Sequence, residues 1–78
     1  MVSTRFEQIT LGPNDDGRRL DRIVRKALPR VPLSRIYRAL RSREIRLNGR
    51  RARADTRVRE GDLLEVAATV RDAALRED

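Results

Sequence analysis

The sequence contains no cysteine, no histidine and no tryptophan. Without cysteine the chain has neither disulfides nor thiolate ligands for a metal. Without histidine it also lacks the commonest metal ligand and the usual general base of enzymes. We therefore expect no metal site, no cofactor and no catalytic residue in this chain.

Large apolar side chains are also scarce, since 38% of the 78 residues are hydrophobic and 3% are aromatic. A chain this short forms one domain, and it buries only about 60% of its unfolded surface. No apolar run approaches the ~20 residues that a membrane-spanning helix needs. Residues 1–6 also lack the apolar core of a signal peptide. We expect a cytoplasmic protein that does not engage a membrane.

Positive charge is abundant: nineteen basic residues face twelve acidic ones, for a net charge of +7. Residues 18–59 carry sixteen basic and three acidic side chains, whereas residues 1–17 and 60–78 are both net negative. All but one of the basic residues are arginine, whose guanidinium group forks onto phosphate and stacks on bases. A basic block of this kind is typical of a protein that binds a polyanion.

Two segments of the basic block have the apolar periodicity of helices. In residues 18–28 apolar side chains recur at i, i+3, i+4, i+7 and i+8 from Leu20, which predicts an amphipathic helix. A second stripe follows Pro32, a residue suited to a first helical turn, and consists of Leu33, Ile36 and Leu40. The two helices are joined by about four residues and form a helical hairpin or helix-turn-helix.

The remaining segments have short-strand patterns separated by turn formers. At residue 44 the apolar period changes from helical to two, so that Ile45 and Leu47 face inward on a strand. Asn48-Gly49 is the favoured pair for a type I′ hairpin turn, because both residues tolerate positive φ. We predict strands over residues 5–11, 45–47, 50–54 and 63–67, and a tail or short helix over residues 68–78.

These elements together predict an α+β fold, in which a two-helix hairpin packs on a small, mostly antiparallel sheet. Arg35 and Arg38, three residues apart, are expected to share the exposed face of the second helix. The predicted core consists of ten apolar residues: Leu20, Ile23, Val24, Leu28, Ile36, Leu40, Ile45, Leu47, Leu64 and Val66.

The order of the elements resembles the S4 domain, a small RNA-binding domain named after ribosomal small-subunit protein four. Residues 17–26 look like its first helix, residues 31–41 like its second, and residues 58–66 like its closing strand. The motif Ile45-Arg-Leu-Asn-Gly-Arg-Arg looks like its hairpin. The chain is most similar to the N-terminal S4 domain of large-subunit rRNA pseudouridine synthases of the RluA/RluC type. The resemblance covers residues 5–67, which we expect to form the domain.

The resemblance implies that the chain binds structured RNA, here expected to be rRNA, with its two helices and its hairpin loop. The positions that match RNA-binding positions of the family are Arg19, Ser34, Arg35, Arg38, Asn48, Gly49, Arg50 and Arg51. One position departs from the family pattern, because Arg43 stands where a glycine usually ends the second helix. Glycine suits a left-handed helix exit, which another residue enters at a cost of about 1 kcal/mol. The helix exit is therefore where we expect a change of shape.

Some of these positions have structural alternatives. Ser34 can cap its helix instead of contacting phosphate, and Asn48-Gly49 is first of all a turn. Tyr37 can stack on a base or pack at the rim of the core.

Arg19-Leu20-Asp21 imitates the catalytic Arg-Leu-Asp of pseudouridine synthases. The Thr-Ser-Gly that accompanies the catalytic aspartate is missing here, and the triplet lies in a predicted helix. We interpret Asp21 as structural, and we expect the chain not to be an enzyme on its own. In a parent protein the domain would accompany a separate catalytic domain.

A DNA-binding helix-turn-helix protein is the alternative interpretation. Against it, the second helix turns Ile36, Ala39 and Leu40 inward and leads directly into the hairpin. DNA-binding modules of this size usually dimerise, and the sequence shows no spare apolar face for a dimer. We therefore expect a monomer that binds RNA.

Overall fold

The computed structural model describes residues 5–76. Its helices and strands are, in chain order, β1 (Phe6–Thr10), α1 (Leu20–Ala27), α2 (Leu33–Arg41), β2 (Ile45–Leu47), β3 (Leu63–Ala67) and α3 (Ala68–Arg76). The predicted α+β fold is confirmed, and α1 and α2 begin and end within two residues of their predicted bounds. Of the predicted tail or short helix, residues 68–76 form a helix. Residues 1–4, which belong to the N-terminal segment 1–6 considered above, and residues 77–78, the end of the predicted tail, lie outside the described part.

The described strands form one antiparallel sheet with β3 in the middle. Val66 of β3 lies opposite Glu7 of β1 on one side and opposite Ile45 of β2 on the other. A short 3-10 turn, Pro13–Asp15, leads from β1 towards α1. The central strand is therefore the last of the described strands in the chain.

Residues 50–54 do not form the predicted strand. Arg50 only closes the hairpin turn, through backbone hydrogen bonds to Leu47 with N–O distances of 2.9 and 3.1 Å. The strand partner of β2 is β3 instead. The predicted pairing of 45–47 with 50–54 is therefore wrong beyond the turn itself.

Residues 54–56 turn away from the hairpin because their carbonyl groups accept hydrogen bonds from the first turn of α1. The backbone N–H of Leu20 donates to the carbonyl of Thr56 at 2.8 Å, and that of Asp21 donates to the carbonyl of Ala54 at 3.0 Å. Arg19, at the N-cap, makes no side-chain cap hydrogen bond. Since the first turn of a helix has no intrahelical acceptors for its N–H groups, residues 54–56 fill that role and cannot pair with the sheet.

The helices, the strands and the loops between them share one hydrophobic core. Nine of the ten predicted core residues are buried, and Leu47 is half-buried at its edge. Further buried residues are Ala39 of α2, Ala67 of β3, Val70 of α3 and three loop residues, Leu11, Val31 and Val58. Val70 is fully buried, so α3 packs on the same core as the two predicted helices.

The exit of α2 keeps a left-handed geometry although no glycine is present. Arg43 has φ 64°, and the backbone N–H of Glu44 donates to the carbonyl of Ala39 at 2.9 Å. This hydrogen bond, from the third residue after the helix to its third-last residue, is that of a Schellman motif. The expected change of shape is absent, and Arg43 adopts the conformation for which the family uses glycine.

Replacing Arg43 with glycine is expected to raise the free energy of unfolding by about 1 kcal/mol, because glycine enters positive φ without the steric cost of a Cβ. Chemical denaturation of wild type and variant measures the difference. Arg38→Gly is the matched control, since the same substitution inside α2 should lower stability by about 1 kcal/mol. Equal losses in both variants would contradict the left-handed exit.

Candidate nucleic-acid interface

Four residues share the exposed face of α2: Ser34, Tyr37, Arg38 and Arg41. They follow one another at i, i+3, i+4 and i+7, the spacing that brings side chains onto one side of a helix. The opposite side is buried in the core. Ser34 and Arg38 were predicted to contact RNA. Arg41 was not predicted, and only the structure shows that it shares this face.

Arg35 does not lie on that exposed face. Its side chain is only 21% exposed, and its guanidinium group donates to both carboxylate oxygens of Glu44 at 3.2 and 3.1 Å. The hydroxyl groups of Ser42 and Thr69 donate to the same carboxylate, each at 2.7 Å. The prediction that Arg35 shares an exposed face with Arg38 is wrong, because Arg35 ties α2 to the segment before β2.

The carboxylate of Glu44 neutralises Arg35 over the whole neutral pH range. The hydrogen bonds from Arg35 lower the pKa of Glu44 to about 2; burial opposes this shift, and Thr69 and Ser42 reinforce it. Glu44 is therefore ionised at any pH at which RNA binding would be measured. A phosphate would reach Arg35 only in competition with this carboxylate.

Asp21 lies at the junction of α1 and α2 and is 7% exposed. The guanidinium group of Arg19 donates to its two oxygens, both at 3.2 Å, and the backbone N–H of Arg22 donates at 2.9 Å. The hydroxyl of Tyr37 donates to Oδ2 at 3.3 Å. Asp21 thus serves to join the two helices, and Arg19 is bound to it while remaining 43% exposed.

These contacts also set the protonation state of Asp21. Burial pushes its pKa upward, but the hydrogen bonds from Arg19 and the charge of Arg19 outweigh burial and hold the pKa below its usual value. The group is a paired carboxylate rather than a candidate acid, which agrees with its structural interpretation.

The hairpin turn has the predicted backbone. Asn48 and Gly49 both have positive φ, 54° and 76°. The side chain of Asn48 is occupied, because its amide donates to Asp62 at 3.1 Å and its Oδ1 accepts from the backbone N–H of Leu63 at 2.8 Å. Asn48 therefore fastens the turn to the start of β3, and Arg50, directly after the turn, is exposed.

A cleft lies between the exposed face of α2 and the segment that follows the hairpin. We call it the α2 cleft; its volume is about 250 Å³, and it is lined by Tyr37, Leu40, Arg41, Arg51, Ala52, Arg53 and Ala54. Of the predicted contacts only Arg51 lines it. Arg41 could have been found from its spacing of four residues from Tyr37. The approach of Arg53 could not, because it depends on the contact of residues 54–56 with α1.

Ion pairing differs between the α2 cleft and the surface where α3 meets the edge strand β1. Arg71 of α3 forms an ion pair with Glu7 of β1 at 2.8 Å. By contrast, Arg38, Arg41 and Arg51 have no ion-pair partner among residues 5–76. The exposed face of α2 and the α2 cleft therefore carry positive charge, at Arg38, Arg41 and Arg51, that no ion pair within residues 5–76 neutralises.

The acidic loop residues have structural roles. Asp15 accepts a hydrogen bond from the backbone N–H of Gly12 at 3.0 Å, and Asp16 accepts one from that of Glu60 at 2.9 Å. Within residues 5–76 no cluster of three or more acidic side chains is placed to hold a metal ion. None of the helices in this part of the chain has the length and apolar character needed to cross a membrane.

Fold and surface together define a small basic α+β domain that presents a helix and a hairpin side by side. A family model described as the S4 domain matches residues 18–64, which contain α1, α2, the hairpin and the start of β3. The chain belongs to the S4 domain family. The resemblance found in the sequence is thereby confirmed.

Relatives with assigned functions are pseudouridine synthases C of the ribosomal large subunit. The protein from Vibrio cholerae is 32% identical over 65 residues, which make up 83% of this chain and 21% of that protein. The one from Vibrio parahaemolyticus is 31% identical over the same shares, and the one from Salmonella typhi is 33% identical over 58 residues, 74% of this chain and 18% of that protein. The chain therefore spans about a fifth of the length of these relatives.

Proposed function

We propose that this chain is a module that binds structured RNA, with rRNA as its target, and that it has no catalytic activity of its own. The observation that carries the proposal is the set of exposed guanidinium groups without an ion-pair partner on α2 and at the α2 cleft, namely Arg38, Arg41 and Arg51. Membership of the S4 family supports it, and so does the likeness to enzymes whose names place their action on the ribosomal large subunit. A positively charged surface of this kind supplies most of the affinity for nucleic acid.

The predicted contacts divide into three roles in this proposal. Arg38, Arg50 and Arg51 are exposed and neutralise phosphates, which positions the RNA without reading its sequence. Arg19 and Ser34 extend the surface along α1 and α2. Asn48 and Gly49 shape the hairpin, and both residues are exposed at its tip.

Arg35 can contact RNA only if it gives up its present hydrogen bonds. Its hydrogen bonds to Glu44 would have to be exchanged for bonds to a phosphate. We therefore assign it to the support of α2 first and to RNA contact second.

Structured RNA suits this surface better than a DNA duplex. A recognition helix reads DNA by entering the major groove, but α2 is flanked on its exposed side by residues 51–54 across the cleft. The surface is a shallow ridge and cleft, which suits the phosphates, loops and unpaired bases of folded RNA.

The proposal also covers the bounds of the domain, its oligomeric state, its location and its place in a longer protein. Residues 5–67 form the RNA-binding domain, with α3 continuing directly from β3. The domain acts as a monomer in the cytoplasm. Within a longer protein it would hold rRNA while a separate domain modifies it.

Fluorescence anisotropy with an rRNA-derived stem-loop and a DNA duplex of equal phosphate number tests the proposal. At each salt concentration we expect tighter binding to the RNA. Equal or tighter binding to the DNA would contradict the proposal and favour the helix-turn-helix alternative.

A further inference from the structure

The α2 cleft combines an apolar floor with a cationic rim. Leu40, Ala52 and Ala54 provide the apolar surface, and Arg41, Arg51 and Arg53 provide the charge. No acidic side chain lines the cleft. The carboxylate of Asp55 is 4.0 Å from Arg53, and both side chains are largely exposed. A ligand suited to this cleft has an apolar part and a negative charge.

Tyr37 gives the cleft an aromatic wall. Among the described residues it is the large hydrophobic side chain that stands exposed, at 36%. Its hydroxyl donates to Asp21 at 3.3 Å, and Asp21 is itself buried and held by Arg19 and by a backbone N–H. The ring is therefore oriented by a bonded group behind it, and a planar ligand would find it already in place.

The backbone beside the ring is also available to a ligand. Between Arg50 and Arg53, the backbone N–H groups of Arg51 and Ala52 have no hydrogen-bond partner within residues 5–76. Unpaired N–H groups next to an aromatic wall can bond the acceptors on the edge of a base.

The volume of the α2 cleft limits its ligand to about one nucleotide. The cleft volume of about 250 Å³ lies below the range of roughly 300–1,000 Å³ typical of sites for drug-sized molecules. One nucleotide, with its base against the ring and its phosphates at the rim, is a ligand of the right size and charge.

We propose that the α2 cleft binds one unpaired nucleotide of the RNA, with the base stacked on Tyr37 and the adjoining phosphates bound by Arg41 and Arg51. The inference rests on the proposed RNA binding and makes it specific. A base within a duplex cannot reach the cleft, whereas a bulged or looped-out base can be splayed into it. The domain thus selects RNA by an unpaired nucleotide next to a helical stem.

Three RNA stem-loops of the same sequence test the inference: one without a bulge, one with a single bulged nucleotide, and one with an abasic bulge. Base–aromatic stacking predicts that the bulged RNA binds about tenfold more tightly than the other two. Tyr37 is the chain's one tyrosine, and there is no tryptophan. Quenching of the intrinsic tyrosine fluorescence therefore reports on the proposed contact directly, and it should occur with the bulged RNA.

Two substitutions and a control separate stacking from general charge. Tyr37→Ala should weaken binding of the bulged RNA about tenfold, and Tyr37→Phe, which keeps the ring, should retain the preference for the bulge. Gln8→Ala, at an exposed position of β1, should leave all three affinities unchanged. Circular dichroism checks that each variant is folded.

The outcomes distinguish this inference from the proposed function. Equal binding of the three RNAs would overturn the nucleotide site and leave RNA binding intact, whereas binding of none would overturn both. Quenching by a free nucleoside monophosphate as strong as that by the bulged RNA would also overturn it, because the cleft would then bind free nucleotides. Capture of an acidic peptide in preference to RNA would count against it in the same way.

Discussion

Ile36→Ala is expected to lower the free energy of unfolding by about 2–4 kcal/mol, the usual cost of removing three carbons from a closely packed site. Ile36 is fully buried at the middle of α2, on the face opposite Tyr37 and Arg38. Small domains have only about 5–15 kcal/mol of stability in total. This one substitution should therefore remove a large share of it and shift the urea midpoint clearly.

Leu33→Ala is the matched control for this prediction, because it removes as many carbons from the same helix. Leu33 is only half-buried, so its loss should cost much less. Both values come from urea denaturation followed by circular dichroism. If Ile36→Ala cost less than about 1 kcal/mol, in the range of ordinary surface changes, α2 would not pack through this face. The exposure of its other face would then be unsupported.

The second large effect is expected in RNA binding, for the variant that carries Arg38→Ala and Arg51→Ala together. Each phosphate contact contributes about −0.7 to −0.9 to the slope of log K against log salt concentration. Loss of two contacts should therefore flatten the slope by about 1.4 to 1.8 and weaken binding at low salt by more than tenfold. Stability should hardly change, because both side chains are exposed and exposed charges contribute little to it.

A control with the same loss of charge is Arg59→Ala with Arg71→Ala. Arg59 and Arg71 lie away from the α2 cleft, so this pair should lower affinity only through net charge and should keep the wild-type slope to within a few tenths. Equal slopes for the two double variants would mean that the protein binds RNA by its overall charge and has no defined face.

Local patterns in the sequence were sufficient to predict the helices α1 and α2 and the hairpin turn. The stripe that begins at Leu20 and the stripe of Leu33, Ile36 and Leu40 specify which sides of α1 and α2 are buried. Asn48-Gly49 specifies the turn through its two positive φ values. Each of these features depends on residues that are neighbours in the chain, which is why they could be predicted.

Contacts between distant segments account for the errors. Residues 50–54 have a plausible strand pattern, but the N–H groups at the start of α1 need the carbonyls of Ala54 and Thr56. Arg35 has the spacing of an exposed residue, yet Glu44 after the helix exit binds it. The spacing of apolar and basic residues in the sequence reveals neither of these contacts. The α2 cleft follows from the contact of residues 54–56 with α1, which places residues 51–54 beside α2.

The left-handed exit at Arg43 is a different kind of result. The sequence correctly marked the position as unusual, because a glycine is expected there. The Schellman hydrogen bond from Glu44 to Ala39 and the bonds of the Glu44 side chain to Arg35, Ser42 and Thr69 hold the backbone in place around it. Surrounding contacts can therefore maintain a positive φ that the residue itself disfavours.

The most direct test of the account is to map the RNA onto the protein by NMR. At 9.0 kDa the domain is suited to proton–nitrogen spectra during titration with a bulged stem-loop. The account predicts the largest shift changes at the amides of α2 (Leu33–Arg41) and of residues 48–54, with small changes on β1 and α3. Changes centred on β1 and α3, with α2 and the hairpin unaffected, would contradict it.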